Sequence, residues 1–245
     1  MKKRVMVIFS IVLVAMIVVV CSIIIPRETE KRQQQAIDNR VVVFQNERMH
    51  YSVCYWVDRV ALSANDNEPF DITVGQCNSL IRLNIGYVTL YDLDELDDLL
   101  FFPNLEYLDM FIGNIGEQKQ RRVGNVAYSE EVIGKLSGIL PQLKKIQWLY
   151  FGSDLTIFNF CFISKCHDIQ TLIAENNTIN DISALSSLTK LRQVFLGYNE
   201  ISDITPLLEL THLEYISISG NPVCEDEAQM QLLRETFPNA EIIIN

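Results

Sequence analysis

Histidine is scarce in this chain of 245 residues, which contains only His50, His167 and His212. None of the three lies in a tight motif with a nucleophile. The sequence also lacks the G-x-S-x-G, Walker-type, G-x-G-x-x-G and H-E-x-x-H motifs of nucleophilic, nucleotide-binding and zinc chemistry. These absences argue against the corresponding enzyme classes. We expect no enzyme, no catalytic residue and no small-molecule cofactor.

Metal-ligand clusters are equally sparse. Cys161 and Cys166, followed by His167, have part of the spacing of a zinc site, but no second Cys/His pair completes it. Asp181 and Asp203 are 22 residues apart, whereas a calcium site needs six to eight oxygen ligands. We expect no metal site and interpret both aspartates as caps of turns or short helices.

Five cysteines follow residue 25, and an odd number cannot pair completely within one chain: Cys54, Cys77, Cys161, Cys166 and Cys224. In an oxidising compartment Cys54 and Cys77 could form a disulfide that braces the N-terminal flank. Buried apolar thiols are the alternative for all five. The sequence leaves both possibilities open.

One long apolar run stands at the N-terminus. Val5 to Ile25 carries no charge, follows Lys2, Lys3 and Arg4, and is ended by Pro26. As a helix the run would be about 31 Å long, enough to cross a bilayer core of about 30 Å. Basic residues favour the cytoplasmic side, which predicts a single-pass membrane protein with a cytoplasmic N-terminus and an extracytoplasmic C-terminal domain. The alternatives to a retained membrane anchor are cleavage of this segment as a leader and lipidation of Cys21.

Acidic residues dominate the remainder. Residues 26–245 contain 17 basic and 31 acidic side chains, a net charge of −14. Such a charge argues against nucleic acid and anionic lipid surfaces as partners of this part of the chain, and it also favours solubility.

A period of 22 residues dominates the C-terminal half. Asn177, Asn199 and Asn221 are spaced at this step, and the apolar residues around them recur with it. A period of this length indicates small structural units stacked on one another. The units, counted from the first apolar residue of an L-x-x-L-x-L pattern, begin at Leu80, Leu105, Ile146, Ile169, Leu191 and Leu213.

The two most regular units, 169–190 and 191–212, share an N-x-I-x-D-I-x-x-L segment. They resemble the bacterial leucine-rich repeat of the internalin type. The resemblance is strong over 169–223, weaker over 80–168 and absent before residue 80. It implies an α/β solenoid with a curved parallel β-sheet and an irregular or helical convex side, which here follows one transmembrane helix. It also implies a bacterial cell-surface setting and protein recognition through the concave face.

Positions 3 and 5 of each unit should line that face, because side chains alternate along a strand. Position 3 supplies Arg82, Tyr107, Trp148, Thr171, Gln193 and Tyr215, and position 5 supplies Asn84, Asp109, Tyr150, Ile173, Phe195 and Ser217. Positions 7 and 8 add Tyr87, Phe111 and Tyr198. Exposed Trp and Tyr are enriched at interfaces. We predict a solvent-facing site that binds a protein partner, made of Tyr107, Trp148, Tyr150, Ile173, Phe195, Tyr198 and Tyr215. Aromatics that merely pack on one another are the alternative. Asp109 beside Tyr107 and Tyr150 is the one hint of a carbohydrate-acting enzyme.

The rest of the chain is divided by composition. Two short strands are expected at Val41–Phe44 and Tyr51–Val60, and a helix capped by Ser129 is expected to end at Pro141. The predicted regions are a signal anchor (1–25), a juxtamembrane stalk (26–40), an N-terminal cap (41–78), the repeats (79–223, with an insertion at about 113–141) and a C-terminal cap (224–245).

These observations predict a membrane-anchored recognition module held by residues 5–25. A secreted binding protein, after removal of the leader, is one alternative. A structural or regulatory subunit of a membrane complex is the other.

Overall fold

Parallel strands in repeat order form the body of this computed structural model, which describes residues 25–58, 68–85, 93–110, 126–152 and 157–245. Within these ranges seven strands make one sheet, ordered β1 to β7 as in the sequence. They are β1 (Arg82–Asn84), β2 (Tyr107–Met110), β3 (Trp148–Phe151), β4 (Thr171–Ile173), β5 (Gln193–Phe195), β6 (Tyr215–Ser217) and β7 (Glu241–Ile243). The solenoid predicted from the period is confirmed.

The strand register is the one that the period predicts. Thr171 pairs with Gln193, and Gln193 pairs with Tyr215, so position 3 of each unit lies beside position 3 of the next. The same alignment holds from Arg82 to Trp148, across the irregular units. The apolar residues of the opposite sheet face are buried in one continuous core. Because each unit buries its apolar side only against its neighbours, the stack folds as a whole.

Short 3-10 helices return the chain from one strand to the next. They span Leu93–Phe101, Leu140–Gln142, Cys161–Ile163, Ser183–Ser187, Thr205–Leu207 and Pro222–Glu225. The aspartates before two of them act as predicted. The Asp181 carboxylate accepts a hydrogen bond from the Ser183 amide at 2.8 Å, and Asp203 accepts one from the Thr205 amide at 2.8 Å.

The repeated asparagines satisfy the backbone of the turn that follows each strand. The side-chain amide of Asn199 donates to the carbonyls of Ala174 and Leu196, both at 2.9 Å, and its oxygen accepts from the Ile179 amide at 3.1 Å. Asn221 repeats this pattern one unit later. These contacts matter for stability, because an unpaired buried backbone group costs about 1–3 kcal/mol.

Five helices flank the sheet within the described residues: α1 (Ile25–Asp38), α2 (Glu47–Val57), α3 (Val74–Ser79), α4 (Val126–Ile139) and α5 (Glu227–Thr236). Helix α4 packs against the 3-10 segments Leu93–Phe101 and Cys161–Ile163. Helix α5 starts at its N-cap Asp226 and buries Met230 and Leu233 against the last repeat, as its apolar spacing predicts.

Two local predictions are wrong. Tyr51 to Val57 is helical and not a strand, because Asn46 caps helix α2 and the helix buries Met49 and Val53 on one face. Of the strand predicted at Val41–Phe44, Val41 makes only an isolated antiparallel bridge to Thr73.

Helix α4 also begins earlier than predicted. Its first residue is Val126, so Ser129 lies inside the helix and is not its N-cap. Most of the loop expected before it, residues 113–125, lies outside the described ranges.

The five cysteines within the described ranges are free thiols. Cys54 and Cys77 do not form the disulfide considered above, and both are buried together with Cys166. Burial raises the pKa of the Cys77 thiol to about 12 and that of Cys166 to about 11. Cys161 is exposed and Cys224 is partly exposed, so the interpretation as buried thiols is wrong for Cys161.

The predicted transmembrane span lies almost entirely outside the described residues, which begin at Ile25. Among the helices that the structure does describe, none has the length and apolar character needed to cross a bilayer.

The exposed sheet face as the candidate binding site

The candidate site is the sheet face that points away from the core. We call it the exposed sheet face and define it by positions 3 and 5 of β1 to β6: Arg82, Asn84, Tyr107, Asp109, Trp148, Tyr150, Thr171, Ile173, Gln193, Phe195, Tyr215 and Ser217. Strand geometry puts these side chains on one side, because the residue between each pair is buried.

An aromatic cluster occupies the N-terminal half of this face. The ring centroids of Tyr107 and Trp148 are 6.3 Å apart, and those of Trp148 and Tyr150 are 6.1 Å apart in a stacked arrangement. The guanidinium carbon of Arg82 lies 4.1 Å from the centroid of the Tyr107 ring. This is a cation–π contact, in which an arginine of the chain itself lies over the Tyr107 ring.

A carboxylate lies within the same cluster. Asp109 accepts a hydrogen bond from the Asn84 side-chain amide at 2.5 Å. Burial raises the pKa of the Asp109 carboxyl, against the opposing effect of the Asn84 amide.

A second aromatic pair lies in the C-terminal half. Phe195 and Tyr215 stack with their centroids 4.6 Å apart. Both rings are half-buried, as are Tyr107, Trp148, Tyr150 and Ile173. The aromatics therefore lie on the predicted face, but mutual packing leaves each ring only partly open to solvent. Tyr87 and Phe111 lie outside the described residues.

Tyr198 is the most exposed of the predicted residues, with 63% of its surface accessible. It lies at position 8, after strand β5, and its φ of 57° is in the left-handed region. Asn176 and Gly220, the equivalent residues of the neighbouring units, have φ values of 56° and 69°. A bulky side chain is rare in this backbone conformation, whereas Asn and Gly adopt it readily.

The structure offers no metal centre within its described residues. Cys161 is exposed while Cys166 is buried, so the two thiols point into different environments. The ring Nδ1 of His167 lies 3.2 Å from the Ser187 carbonyl oxygen, which engages the imidazole with the next repeat.

The motif of the repeats can be compared directly with known families. A family model described as leucine-rich repeats, in two copies, matches residues 167–209. The chain contains leucine-rich repeats. The match confirms the resemblance seen in the units from Ile169 onward, where the period is most regular. A search of curated proteins found no match.

Several solved structures are similar to this chain. Internalin C2 from Listeria monocytogenes is 20% identical, with a TM-score of 0.40, over 74% of this chain and 86% of that protein. TLR13, solved in a complex with ssRNA13, is 22% identical, with a TM-score of 0.44, over 63% of this chain and 21% of its own.

A leucine-rich repeat protein from Leptospira interrogans is 18% identical, with a TM-score of 0.38, over 70% of this chain and 51% of that one. All of these TM-scores are below 0.5, so the family assignment depends on the repeat motif and not on these structures.

Sequence reasoning missed one residue that lies beside the exposed sheet face. Glu175 lies at position 7, two residues beyond Ile173, and its carboxylate oxygen is 3.5 Å from the Ser217 hydroxyl two units away. The signal was present, because the equivalent residue of the next unit is Gly197, which leaves room for a long side chain to cross.

Proposed function

We propose that this chain is a membrane-anchored, extracytoplasmic recognition protein that binds a protein partner through the exposed sheet face. The single observation that supports this best is the clustering of Tyr107, Trp148, Tyr150, Ile173, Phe195, Tyr198 and Tyr215 on one side of a sheet whose other side is a closed core. Half-exposed Trp and Tyr side chains provide contact area with few rotatable bonds, which favours tight binding.

The membrane and orientation parts of the proposal are supported by the sequence. The uncharged run from Val5 to Ile25 is long enough to span a bilayer, and the basic cluster before it favours the cytoplasm. In this arrangement helix α1 is the start of the stalk, and the repeats extend outside the membrane.

Site-specific photo-crosslinking tests the binding face. A photoreactive amino acid replaces Tyr215 on the face or, as a matched control, Glu209, which is exposed in the loop that follows Thr205–Leu207. We expect crosslinks to one partner from position 215 and none from position 209. The triple substitution Trp148→Ala, Tyr150→Ala and Phe195→Ala should abolish them, while the control Tyr51→Ala and Trp56→Ala, on helix α2, should not. Equal crosslinking from both positions would contradict the proposal.

N-terminal sequencing of the mature protein tests the anchor. Retention of residues before Val5 supports it, whereas a mature start between residues 22 and 30 would indicate secretion. Replacing residues 5–25 by an unrelated span should leave partner crosslinking unchanged. Its loss would favour a subunit of a membrane complex instead.

A further inference from the structure

Glu175 is a partly buried residue at position 7 of its unit, beyond strand β4 and beside the exposed sheet face. Its position is set by the backbone, because the amide of Asn176 donates to the Gly197 carbonyl at 2.9 Å and continues the ladder beyond β4. From there the side chain extends over the next unit to the Ser217 hydroxyl at 3.5 Å.

Gly197 makes this crossing possible. A Cβ atom built on Gly197 would lie 3.3 Å from the Glu175 carboxylate oxygen, closer than ordinary contacts between such atoms. The chain therefore has a long acidic side chain at position 7 of one unit and no side chain at position 7 of the next. Together they hold a carboxylate above the sheet near β6.

The carboxylate lies at the edge of the second aromatic pair. Ser217 is the register partner of Phe195 and lies two residues from Tyr215 on the same strand. The ring centroids of Phe195 and Tyr215 are 4.6 Å apart, so these two side chains form one aromatic surface. The Ser217 hydroxyl, which contacts the Glu175 carboxylate, lies beside this surface.

No cation neutralises Glu175 within the described residues. Two basic side chains of the same two units, Lys190 and Arg192, form ion pairs with Asp168 and Glu214 respectively. The one side-chain hydrogen bond of Glu175 comes from the Ser217 hydroxyl at 3.5 Å, so its carboxylate has no charged partner among the described residues. The other end of the same face shows the complementary arrangement, where Arg82 lies over the Tyr107 ring.

We propose that Glu175, Phe195 and Tyr215 form a site for an arginine or lysine side chain of the protein partner. This inference rests on the proposed function. The carboxylate pairs with the cationic head, and the aromatic rings contact its face or its apolar stem. The charge of −14 on residues 26–245 favours a basic partner through complementarity.

A labelled hexaarginine peptide probes this site, with the full chain titrated and binding followed by fluorescence anisotropy at two salt concentrations. We expect Glu175→Gln to raise Kd roughly fivefold or more, since one charge-assisted contact is lost. The matched control Glu209→Gln removes the same charge from an exposed position and should change Kd less than twofold. Phe195→Leu with Tyr215→Leu should weaken binding similarly to Glu175→Gln.

Equal effects of Glu175→Gln and Glu209→Gln would overturn the inference, because they would indicate diffuse attraction to an acidic surface. Absence of peptide binding to the unaltered chain would overturn it as well. The two proposals remain distinguishable. Partner crosslinking from position 215 with no effect of Glu175→Gln on peptide affinity would refute the cation site and leave the recognition face standing, whereas missing crosslinks would refute the face itself.

Discussion

Replacing Tyr198 by asparagine should stabilise the protein. Tyr198 has a φ of 57°, and L-residues in left-handed backbone cost about 1–2 kcal/mol, a penalty that Asn and Gly largely escape. Because 63% of the tyrosine is exposed, its removal sacrifices little burial. We therefore expect Tyr198→Asn to increase the free energy of unfolding by about 0.5–1 kcal/mol.

Urea denaturation followed by circular dichroism measures this change, with Tyr215→Asn as the matched control. Tyr215 lies in strand β6 and is stacked on Phe195, so the same chemical change should destabilise the chain by about 1–2 kcal/mol. Opposite signs for the two substitutions are the expected result. A destabilisation by Tyr198→Asn as large as that of Tyr215→Asn would refute the argument from backbone conformation.

A double-mutant cycle with Gly220 isolates the contact that Tyr198 makes. A Cβ atom on Gly220 would lie 2.6 Å from Cδ1 of the Tyr198 ring, and Gly220 itself has a φ of 69°. Gly220→Ala should cost about 1–2 kcal/mol from backbone strain, plus the displacement of the ring. In the Tyr198→Asn background the second part disappears, so the cost should fall. Strict additivity would show that the ring and the new methyl group do not meet.

Three further substitutions and one chemical modification test the repeats and the N-terminal flank. Asn199→Ala should lower the free energy of unfolding by about 3 kcal/mol in urea denaturation, because it leaves several buried backbone groups unpaired. Asn177→Ala should lower it by less, since the Asn177 side-chain oxygen has no partner. Equal losses for the two substitutions would contradict this. Iodoacetamide at pH 8 should modify exposed Cys161 well before Cys77, as peptide mass spectrometry would show, because burial raises the pKa of the Cys77 thiol to about 12. Because the pKa is raised in the folded state, its contribution to stability is fully present below about pH 9 and is lost as the pH rises towards 12. Early labelling of Cys77 at pH 8 would instead indicate local opening of the fold. Asp98→Ala should lower the free energy of unfolding by about 2–4 kcal/mol, because buried Asp98 accepts hydrogen bonds from the amides of Gln45 and Asn46. It should also increase proteolysis near helix α2. An unchanged cleavage pattern would contradict this role of Asp98.

The period alone predicted the strand register. Thr171, Gln193 and Tyr215 are spaced by 22 residues and are direct neighbours in the sheet, because each unit repeats the same strand and turn. The irregular spacing between Tyr107 and Trp148 did not spoil the prediction, since the insertion is accommodated by helix α4 on the other side of the stack. Side-chain alternation then fixed which residues face outward.

The N-terminal flank could not be predicted in the same way. The composition of Tyr51–Val57 favours a strand, but a tertiary contact stabilises a helix in this segment. Asn46 caps that helix, and the Asn46 amide is held by Asp98, which is 52 residues away in the sequence. No local pattern contains this pairing, so propensity alone gave the wrong element.

The sequence predicted which strand positions form the candidate site, but not the backbone conformation and the side-chain contacts beside it. The motif identified the outward positions, yet it treats position 8 as free, so nothing in it marks the left-handed backbone of Tyr198. The crossing of Glu175 to Ser217 depends on an empty space above Gly197 and on a partner two units away. Such contacts follow from the stacking of units and not from any single unit.

One residue with a strained backbone lies beside the exposed sheet face. In the turns of the stack the side chains of Asn199, Asn221, Asp181 and Asp203 all pair with backbone groups. Beside the exposed sheet face, Tyr198 has a φ of 57°, and the Glu175 carboxylate has no cation partner within the described residues. Stability does not account for Tyr198, because Asn or Gly would suit this backbone conformation better. The strained and exposed Tyr198 therefore supports the proposal that a partner binds at the exposed sheet face.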